Sequence, residues 1–133
     1  ALIIYFHLMT QLACLSVPML CTLFFCGDCW GKFCASQLIN FLPYARKEEE
    51  SKAKVVYHRM NGYERIFNMA GGLLPAILLL PATLWLGFVG SILILAFLVR
   101  LMKRRLQGYT GDCCGATFLL CELAFYLCTI ILV

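Results

Sequence analysis

The sequence predicts an all-α protein: a polytopic membrane helix bundle with about five transmembrane helices. Of its 133 residues, 62% are hydrophobic, and the mean hydropathy is +0.86, whereas a soluble domain averages about 45–50% apolar residues. The apolar residues form long runs, which favour helices among the structures that can span lipid. Basic residues cluster between these runs, as is typical of loops beside membrane spans.

Five hydrophobic segments follow one another along the chain. The first covers residues 1 to about 25 and the second residues 28–45, the third and fourth share residues 67–99, and the fifth covers residues 113–133. As one helix, the shared run would be about 50 Å long. This is too long for a single crossing of a hydrocarbon core of about 30 Å. Pro81 cannot donate a helix hydrogen bond, so we expect a tight hairpin at Pro81-Ala82-Thr83.

The charge distribution supports this hairpin. Ten of the eleven Lys and Arg residues lie either between Arg46 and Arg65 or between Arg100 and Arg105. A hairpin puts both groups on one side of the membrane, as the positive-inside rule requires. We therefore expect cytoplasmic basic loops and outward-facing turns at Gly27-Asp28 and Pro81–Thr83. The net charge of +4 then reflects topology, and without a nucleic-acid-binding motif it predicts no nucleic-acid partner.

The most informative stretch runs from Gly108 to Ala116 and reads Gly-Tyr-Thr-Gly-Asp-Cys-Cys-Gly-Ala. Thr110, Gly111 and Asp112 are typical of a helix start, and the free N–H groups there can bind a phosphate. Asp112 could hold a Mg²⁺ ion that bridges to a diphosphate, since Mg²⁺ commonly takes one or two carboxylates plus substrate phosphates. A plain helix cap is the alternative.

Glu122 is the second acidic residue of this segment. On a helix, Asp112, Gly115, Leu119 and Glu122 fall within an arc of about 80°, so we expect this stripe to face the bundle interior, with Gly115 allowing close helix approach. Glu122 lies about 15 Å along the axis from Asp112, too far to share one metal ion. We expect it to pair with a buried cation or polar group: Lys32, His7 or Gln11.

Two basic residues are candidates for phosphate binding. Lys32 could reach the membrane interface, pair with Glu122 or bind a substrate phosphate. Arg46 ends the sequence Pro43-Tyr44-Ala45-Arg46 and could bind phosphate through its planar guanidinium group. An interfacial anchor is the alternative for this tetrapeptide.

Three motifs, in this order, resemble those of the cobalamin synthase (adenosylcobinamide-GDP ribazoletransferase) family. Gly31-Lys32-Phe33 resembles the family's Gly-Arg-Trp, and the tetrapeptide that ends at Arg46 matches its Pro-Tyr-Ala-Arg. The stretch from Gly108 to Ala116, followed by Glu122, resembles its Gly-Gly-x-Thr-Gly-Asp-x-x-Gly-Ala…Glu. Gln107 departs from the pattern, because the family usually has its first glycine there. The family's upstream aspartate-rich motif has no match here.

The resemblance implies that residues 1–133 are a single transmembrane domain, the C-terminal part of a larger membrane transferase. Such an enzyme joins adenosylcobinamide-GDP to α-ribazole or its 5′-phosphate and releases GMP, a late step of cobalamin (vitamin B12) biosynthesis in the cell inner membrane. Mg²⁺ is the implied cofactor. The implied catalytic residues are Asp112, also the metal ligand, and Arg46; the implied substrate-binding residues are Lys32, Tyr44, Thr110, Gly111, Gly115 and Glu122.

Other readings stay open at this point. The chain could be a non-catalytic, multi-pass structural or assembly protein, a degenerate fragment in which the acidic residues only pair helices. A relationship to CDP-alcohol phosphotransferases is disfavoured, because the chain has no spaced run of aspartates.

The partners expected are the two small-molecule substrates and the lipid bilayer, and a homo-oligomer is a further alternative.

Overall fold

The computed structural model describes residues 2–14, 16–44 and 59–132. These residues form five α-helices and one short 3₁₀ helix that precedes the fourth of them, which confirms the all-α prediction. The only extended pairing in this part of the chain is an isolated bridge. The helices are α1 (Leu2–Ala13), α2 (Val17–Phe41), α3 (Gly62–Leu79), α4 (Leu86–Arg105) and α5 (Gly111–Leu132), with the 3₁₀ helix at Ala82–Trp85.

The boundary between the first two helices is not where the sequence analysis put it. The helix break lies before Val17, and α2 runs without interruption through the expected turn at Gly27-Asp28. Ser16 caps α2, because its Oγ accepts a hydrogen bond from the Met19 N–H at 3.4 Å. Pro18 lies in the first turn of α2, where a missing N–H costs nothing. The number of helices was therefore right, but the first turn was wrong.

The hairpin at Pro81 is confirmed. α3 ends at Leu79, and Pro81 precedes the 3₁₀ helix that leads into α4. The two helices therefore run in opposite directions. Their far ends carry Arg65 and the basic group from Arg100 to Arg105. A contact of 3.9 Å from Asn40 Nδ2 to Met60 Sδ puts the start of α3 beside the end of α2, so the described basic residues of both groups lie at one end of the bundle.

Helix α5 occupies the centre of the bundle and packs against α1, α2 and α4. Glycines on the neighbouring helices allow the close approach. A Cβ atom at Gly27 would lie 2.6 Å from the Tyr126 hydroxyl oxygen, and one at Gly87 would lie 3.1 Å from the Phe125 ring. Small residues at helix contacts are the usual means by which membrane helices pack closely. On the α4 side, the Ser91 hydroxyl also donates to a carbonyl oxygen of α5 at 2.7 Å.

The outer surface of the bundle is apolar. Exposed large hydrophobic side chains cover the outer faces of the helices, including Ile3, Phe67, Leu78, Leu93 and Phe97. Soluble monomers rarely expose contiguous apolar patches of this kind. Two segments, Ala82–Arg105 and Gly111–Leu132, are long and apolar enough to cross a membrane.

Adjacent glycines in α3 provide a test of this packing. A Cβ at Gly72 would lie 2.6 Å from the Phe33 Cβ, whereas one at Gly71 would meet nothing within 4 Å. We expect Gly72→Ala to lower the free energy of unfolding by about 1–3 kcal/mol, because the inserted methyl group forces α2 and α3 apart. Gly71→Ala should leave it unchanged or raise it by up to about 1 kcal/mol through helix propensity. Unfolding in mixed micelles, followed by circular dichroism, measures both, and equal effects would contradict the packing described.

Candidate functional site

Two sequence motifs separated by more than sixty residues meet at the basic end of the bundle. The Tyr109 N–H donates to the Pro43 carbonyl oxygen at 3.0 Å, and Tyr44 and Tyr109 form an isolated parallel bridge. Their rings pack edge to face, with centroids 5.5 Å apart. This Tyr44–Tyr109 junction joins the segment after α2 to the loop between α4 and α5. It brings together two of the motifs that the sequence analysis selected.

A small hydrophobic cluster packs against Tyr109 of the junction. Tyr109 is 1% exposed and packs with apolar side chains from the last turns of α2 and α4, namely Leu38, Leu42, Leu98 and Met102. Gln107, in the loop leading to the junction, has a φ of 55°, the left-handed conformation that favours glycine. This conformation gives a physical reason for a glycine at the position where the family pattern has one.

The start of α5 has the geometry expected from the sequence. Thr110 caps the helix: its Oγ1 accepts a hydrogen bond from the Cys113 N–H at 3.4 Å. Asp112 lies in the first turn and is exposed, where its negative charge interacts favourably with the positive end of the helix dipole. Thr110, Gly111 and Asp112 therefore directly follow the Tyr44–Tyr109 junction, at the basic end of the bundle.

Asp112 is the acidic residue in the first turn of α5. Among the residues that the structure describes, no group of three or more His, Cys, Asp or Glu side chains is close enough to hold one. One exposed carboxylate at a helix N-terminus suits Mg²⁺, which usually keeps several waters and shares the phosphates of its substrate. It would not suit a dedicated, fully protein-coordinated metal site.

Arg46 lies outside the described residues, so its position relative to Asp112 stays a prediction. Gly115 lies on an exposed face, and a Cβ there would meet nothing within 4 Å. The expectation that Gly115 permits close helix approach was therefore wrong, because the close contacts involve glycines of the other helices. Gly115 instead leaves open space one turn beyond Asp112.

Glu122 is buried at the meeting point of α1, α2 and α5. It is 2% exposed, and its Oε1 atom accepts hydrogen bonds from Tyr126 Oη at 2.7 Å and Tyr5 Oη at 3.2 Å. The rings of the two tyrosines contact each other edge to face. The expected partners Lys32, His7 and Gln11 were wrong: neutral hydroxyl groups, rather than a cation, satisfy this buried carboxylate.

Lys32 pairs with Asp28 instead. Lys32 Nζ lies 2.6 Å from Asp28 Oδ2, one helical turn earlier, and the lysine side chain is 68% exposed. Asp28 and Glu122 both line a cavity of about 220 Å³ between α1, α2 and α5. The other walls of this Asp28–Glu122 cavity are mostly apolar and include Tyr5, Phe24, Phe118 and Leu119.

Sequence reasoning missed Asp28 and Tyr5 as neighbours of Glu122. The spacing of Asp28 and Lys32, four residues apart within an apolar segment, was the available signal for one helix-face ion pair. The false turn at Gly27-Asp28 hid that signal, because a turn would have separated the two side chains. Tyr5 had no such signal, since only tertiary packing brings α1 to α5.

The predicted site residues thus divide into two groups. Tyr44, Thr110, Gly111 and Asp112 lie at the junction, at the basic end of the bundle. Glu122 lies about 15 Å further along the α5 axis, and Lys32 lies on the Asp28 side of its cavity. The first group offers the free N–H groups of a helix start at the surface. In the second group, Glu122 accepts hydrogen bonds within an apolar interior, while Lys32 is exposed in its ion pair with Asp28.

The chain belongs to the cobalamin-5-phosphate synthase family, whose model matches residues 1–130. Two proteins named adenosylcobinamide-GDP ribazoletransferase illustrate the similarity. The protein from Polaromonas sp. (strain JS666 / ATCC BAA-500) is 48% identical over 68% of this chain and 33% of its own length. The protein from Shewanella woodyi (strain ATCC 51908 / MS32) is 31% identical over 95% of this chain and 49% of its own length.

The chain spans about half the length, or less, of the curated relatives that it matches. No solved structure matches it significantly.

Replacing Gln107 tests the backbone conformation before the junction. A left-handed conformation costs an L-residue roughly 1–2 kcal/mol, and glycine recovers part of that cost despite its larger loss of backbone entropy. We expect Gln107→Gly to raise the free energy of unfolding by up to about 1 kcal/mol. The control is Leu106→Gly, at a residue with a φ of −111°, which should lower it. Equal destabilisation by both variants in the micelle unfolding assay would contradict this conformation.

Shortening Glu122 tests the hydroxyl–carboxylate contacts. Glu122→Ala removes the carboxylate to which both tyrosine hydroxyls donate and leaves Tyr126 only the Phe24 carbonyl oxygen at 3.3 Å. We therefore expect the free energy of unfolding to fall by roughly 1–3 kcal/mol. Glu122→Gln should cost less, because its amide oxygen can accept the same hydrogen bonds. The free energies of unfolding of both variants and of Tyr5→Phe test these hydrogen bonds. A Gln variant as unstable as the Ala variant would mean that the negative charge itself is required.

Proposed function

We propose that this chain is the C-terminal part of a membrane transferase that joins adenosylcobinamide-GDP to α-ribazole or its 5′-phosphate, with release of GMP. Its family membership over residues 1–130 carries the proposal, and the relatives named above bear the corresponding name. Residues 1–133 would form one transmembrane domain of the larger enzyme. The Tyr44–Tyr109 junction supports this assignment, because it joins two of the motifs that resemble the family's.

The reaction exchanges the phosphoanhydride bond of the diphosphate for a phosphodiester bond to the ribose. A hydroxyl oxygen of the ribazole ribose attacks the phosphorus attached to cobinamide, and a P–O bond forms. The bond between that phosphorus and the bridging oxygen breaks, and GMP leaves with the bonding electron pair. The hydroxyl proton passes to solvent or to a base. Catalysis of such a transfer is mostly positioning and stabilisation of phosphate charge.

The start of α5 supplies groups suited to that task. The free N–H groups of its first turn, at Gly111 and Asp112, can bind phosphate oxygens. Asp112 would hold Mg²⁺, which when bound neutralises diphosphate charge. Arg46 would add a guanidinium group for the phosphates. Tyr44 borders this surface and Thr110 orients the helix start, while the open space at Gly115 would admit substrate.

Lys32 and Glu122 have a different part in this proposal. The Asp28–Lys32 ion pair and the tyrosine contacts of Glu122 provide each residue with a structural partner. Their distance from the start of α5 argues against contact with the same phosphate group as Asp112. We therefore assign them to support of the bundle, together with binding of an apolar part of the substrate in the Asp28–Glu122 cavity.

The same proposal includes a location in the cell inner membrane. The two apolar segments of sufficient length support it, as do the exposed apolar side chains on the outer helix faces. By the positive-inside rule, the basic end of the bundle faces the cytoplasm. The start of α5 and the Tyr44–Tyr109 junction would then meet water-soluble substrates at the cytoplasmic surface.

Complementation tests the function. The chain is expressed alone, and together with the N-terminal half of a relative, in a bacterium that lacks its ribazoletransferase, and growth on cobinamide plus dimethylbenzimidazole is scored. We expect growth with the added half, because the chain covers only part of its relatives. Asp112→Asn should then reduce the rate of product formation in membranes at least tenfold, since it removes the charge that holds Mg²⁺.

The matched control for Asp112→Asn is Glu64→Gln. Glu64 lies in the first turn of α3, and its side chain accepts a hydrogen bond from the Asn61 N–H at 2.8 Å. Glutamine preserves this capping contact while removing one negative charge at the same end of the bundle, so activity should be retained. An Asp112→Asn protein with normal activity would rule out the role of Asp112. No growth with either form of the chain, although it is found in the membrane, would favour a non-catalytic structural or assembly protein.

A further inference from the structure

A groove on the outer surface of α4 is not part of either site described above. It has a volume of about 450 Å³ and lies between α4 and the last residue of α2. Its wall is formed by Phe41 and by residues along one face of α4: Ile92, Leu95, Ala96, Val99, Arg100 and Lys103. Five of these seven residues are apolar, and the two basic ones stand together at one end.

The two charged residues that α4 contributes to the groove, Arg100 and Lys103, are both basic. Arg100 and Lys103 are exposed and lie about one helical turn apart, at the same end of the bundle as the other described basic residues of α4. Among the lining residues within the part of the chain that the structure describes, none is acidic. The groove therefore presents two cations beside an apolar channel, and it fits a ligand with an anionic head and an apolar tail.

The length of the groove matches one leaflet of a bilayer. Ile92 and Lys103 are about 16 Å apart along the axis of α4, and half of the hydrocarbon core measures about 15 Å. An acyl chain that starts at the membrane surface beside Arg100 and Lys103 would follow the groove to the level of Ile92. Basic clusters at the end of a membrane helix attract anionic lipid head groups.

We propose that this groove binds one anionic phospholipid, with an acyl chain along α4 and the head-group phosphate against Arg100 and Lys103. The inference rests on the membrane location proposed above but not on the transferase activity. Leu95 and Val99, which line the groove, also pack against the hydrophobic cluster under the Tyr44–Tyr109 junction. A bound acyl chain would therefore support the base of that junction.

Native mass spectrometry of the purified chain in neutral detergent tests the proposal. Dioleoyl phosphatidylglycerol is the anionic probe, and dioleoyl phosphatidylcholine is the zwitterionic control. We expect one phosphatidylglycerol molecule to bind more tightly than phosphatidylcholine. The double variant Arg100→Gln/Lys103→Gln should weaken phosphatidylglycerol binding roughly 30-fold, because two basic side chains are removed from the head-group site.

A second double variant controls for total charge. Arg104→Gln/Arg105→Gln removes two positive charges at the same end of α4, but neither residue lines the groove. It should bind phosphatidylglycerol within about threefold of the unmodified chain, since only screened, longer-range attraction is lost. Equal losses in the two double variants would overturn the proposal, because they would indicate general surface attraction.

A third variant tests the apolar part of the groove. Ala96→Phe fills the channel with a side chain that membrane helices accept, while it leaves both cations in place. It should weaken phosphatidylglycerol binding at least fivefold and leave the circular dichroism spectrum unchanged. Unchanged binding in this variant would overturn the proposal. So would equal binding of both lipids, or a dimer of the chain that excludes lipid from the groove.

Discussion

The close contact between α5 and α2 is the constraint on which the rest of the bundle depends. Two glycines of α2 leave space that side chains of α5 occupy. A Cβ at Gly27 would overlap the Tyr126 hydroxyl, and one at Gly31 would lie 2.9 Å from the Phe118 ring. In helix bundles with apolar surroundings, such van der Waals contact drives association, because burying apolar surface gains little there. Helix α5 in turn packs against α4.

This contact also determines how the buried polar groups are satisfied. Tyr126 extends across Gly27, close to the Phe24 carbonyl oxygen, and its hydroxyl donates to Glu122. Tyr5 completes the arrangement from α1. A buried carboxylate without such donors would be costly, because burial removes it from water. The same close packing that holds the helices together therefore permits an acidic residue in the middle of the bundle.

At the basic end, two loops rather than two helices make the decisive contact. The Tyr109 N–H donates to the Pro43 carbonyl oxygen directly before α5 begins, so the end of α2 determines where α5 starts. Thr110 and Asp112 therefore follow directly after the residue that is bridged to Tyr44. The junction lies at the end of an otherwise apolar bundle.

The fold class and the number of helices were predictable from the sequence, because long apolar runs and clustered basic residues report directly on helices and on the ends where they meet water. Local chemistry also determined the hairpin at Pro81 and the Thr110 cap, since each depends on a few adjacent residues. The true start of α2 carried a local signal as well, in Ser16 and Pro18, but the glycine at position 27 was mistaken for a turn.

Contacts between distant parts of the chain had to come from the tertiary structure. The sequence identified Glu122 as a buried acid but not its partners, because Tyr5 lies 117 positions away and no local pattern joins them. The inward face of α5 was likewise misjudged: Gly115 is exposed, while Thr117, Cys121 and Glu122 face the core. Helical periodicity determines which residues share a face, but only packing against neighbours decides which face is buried.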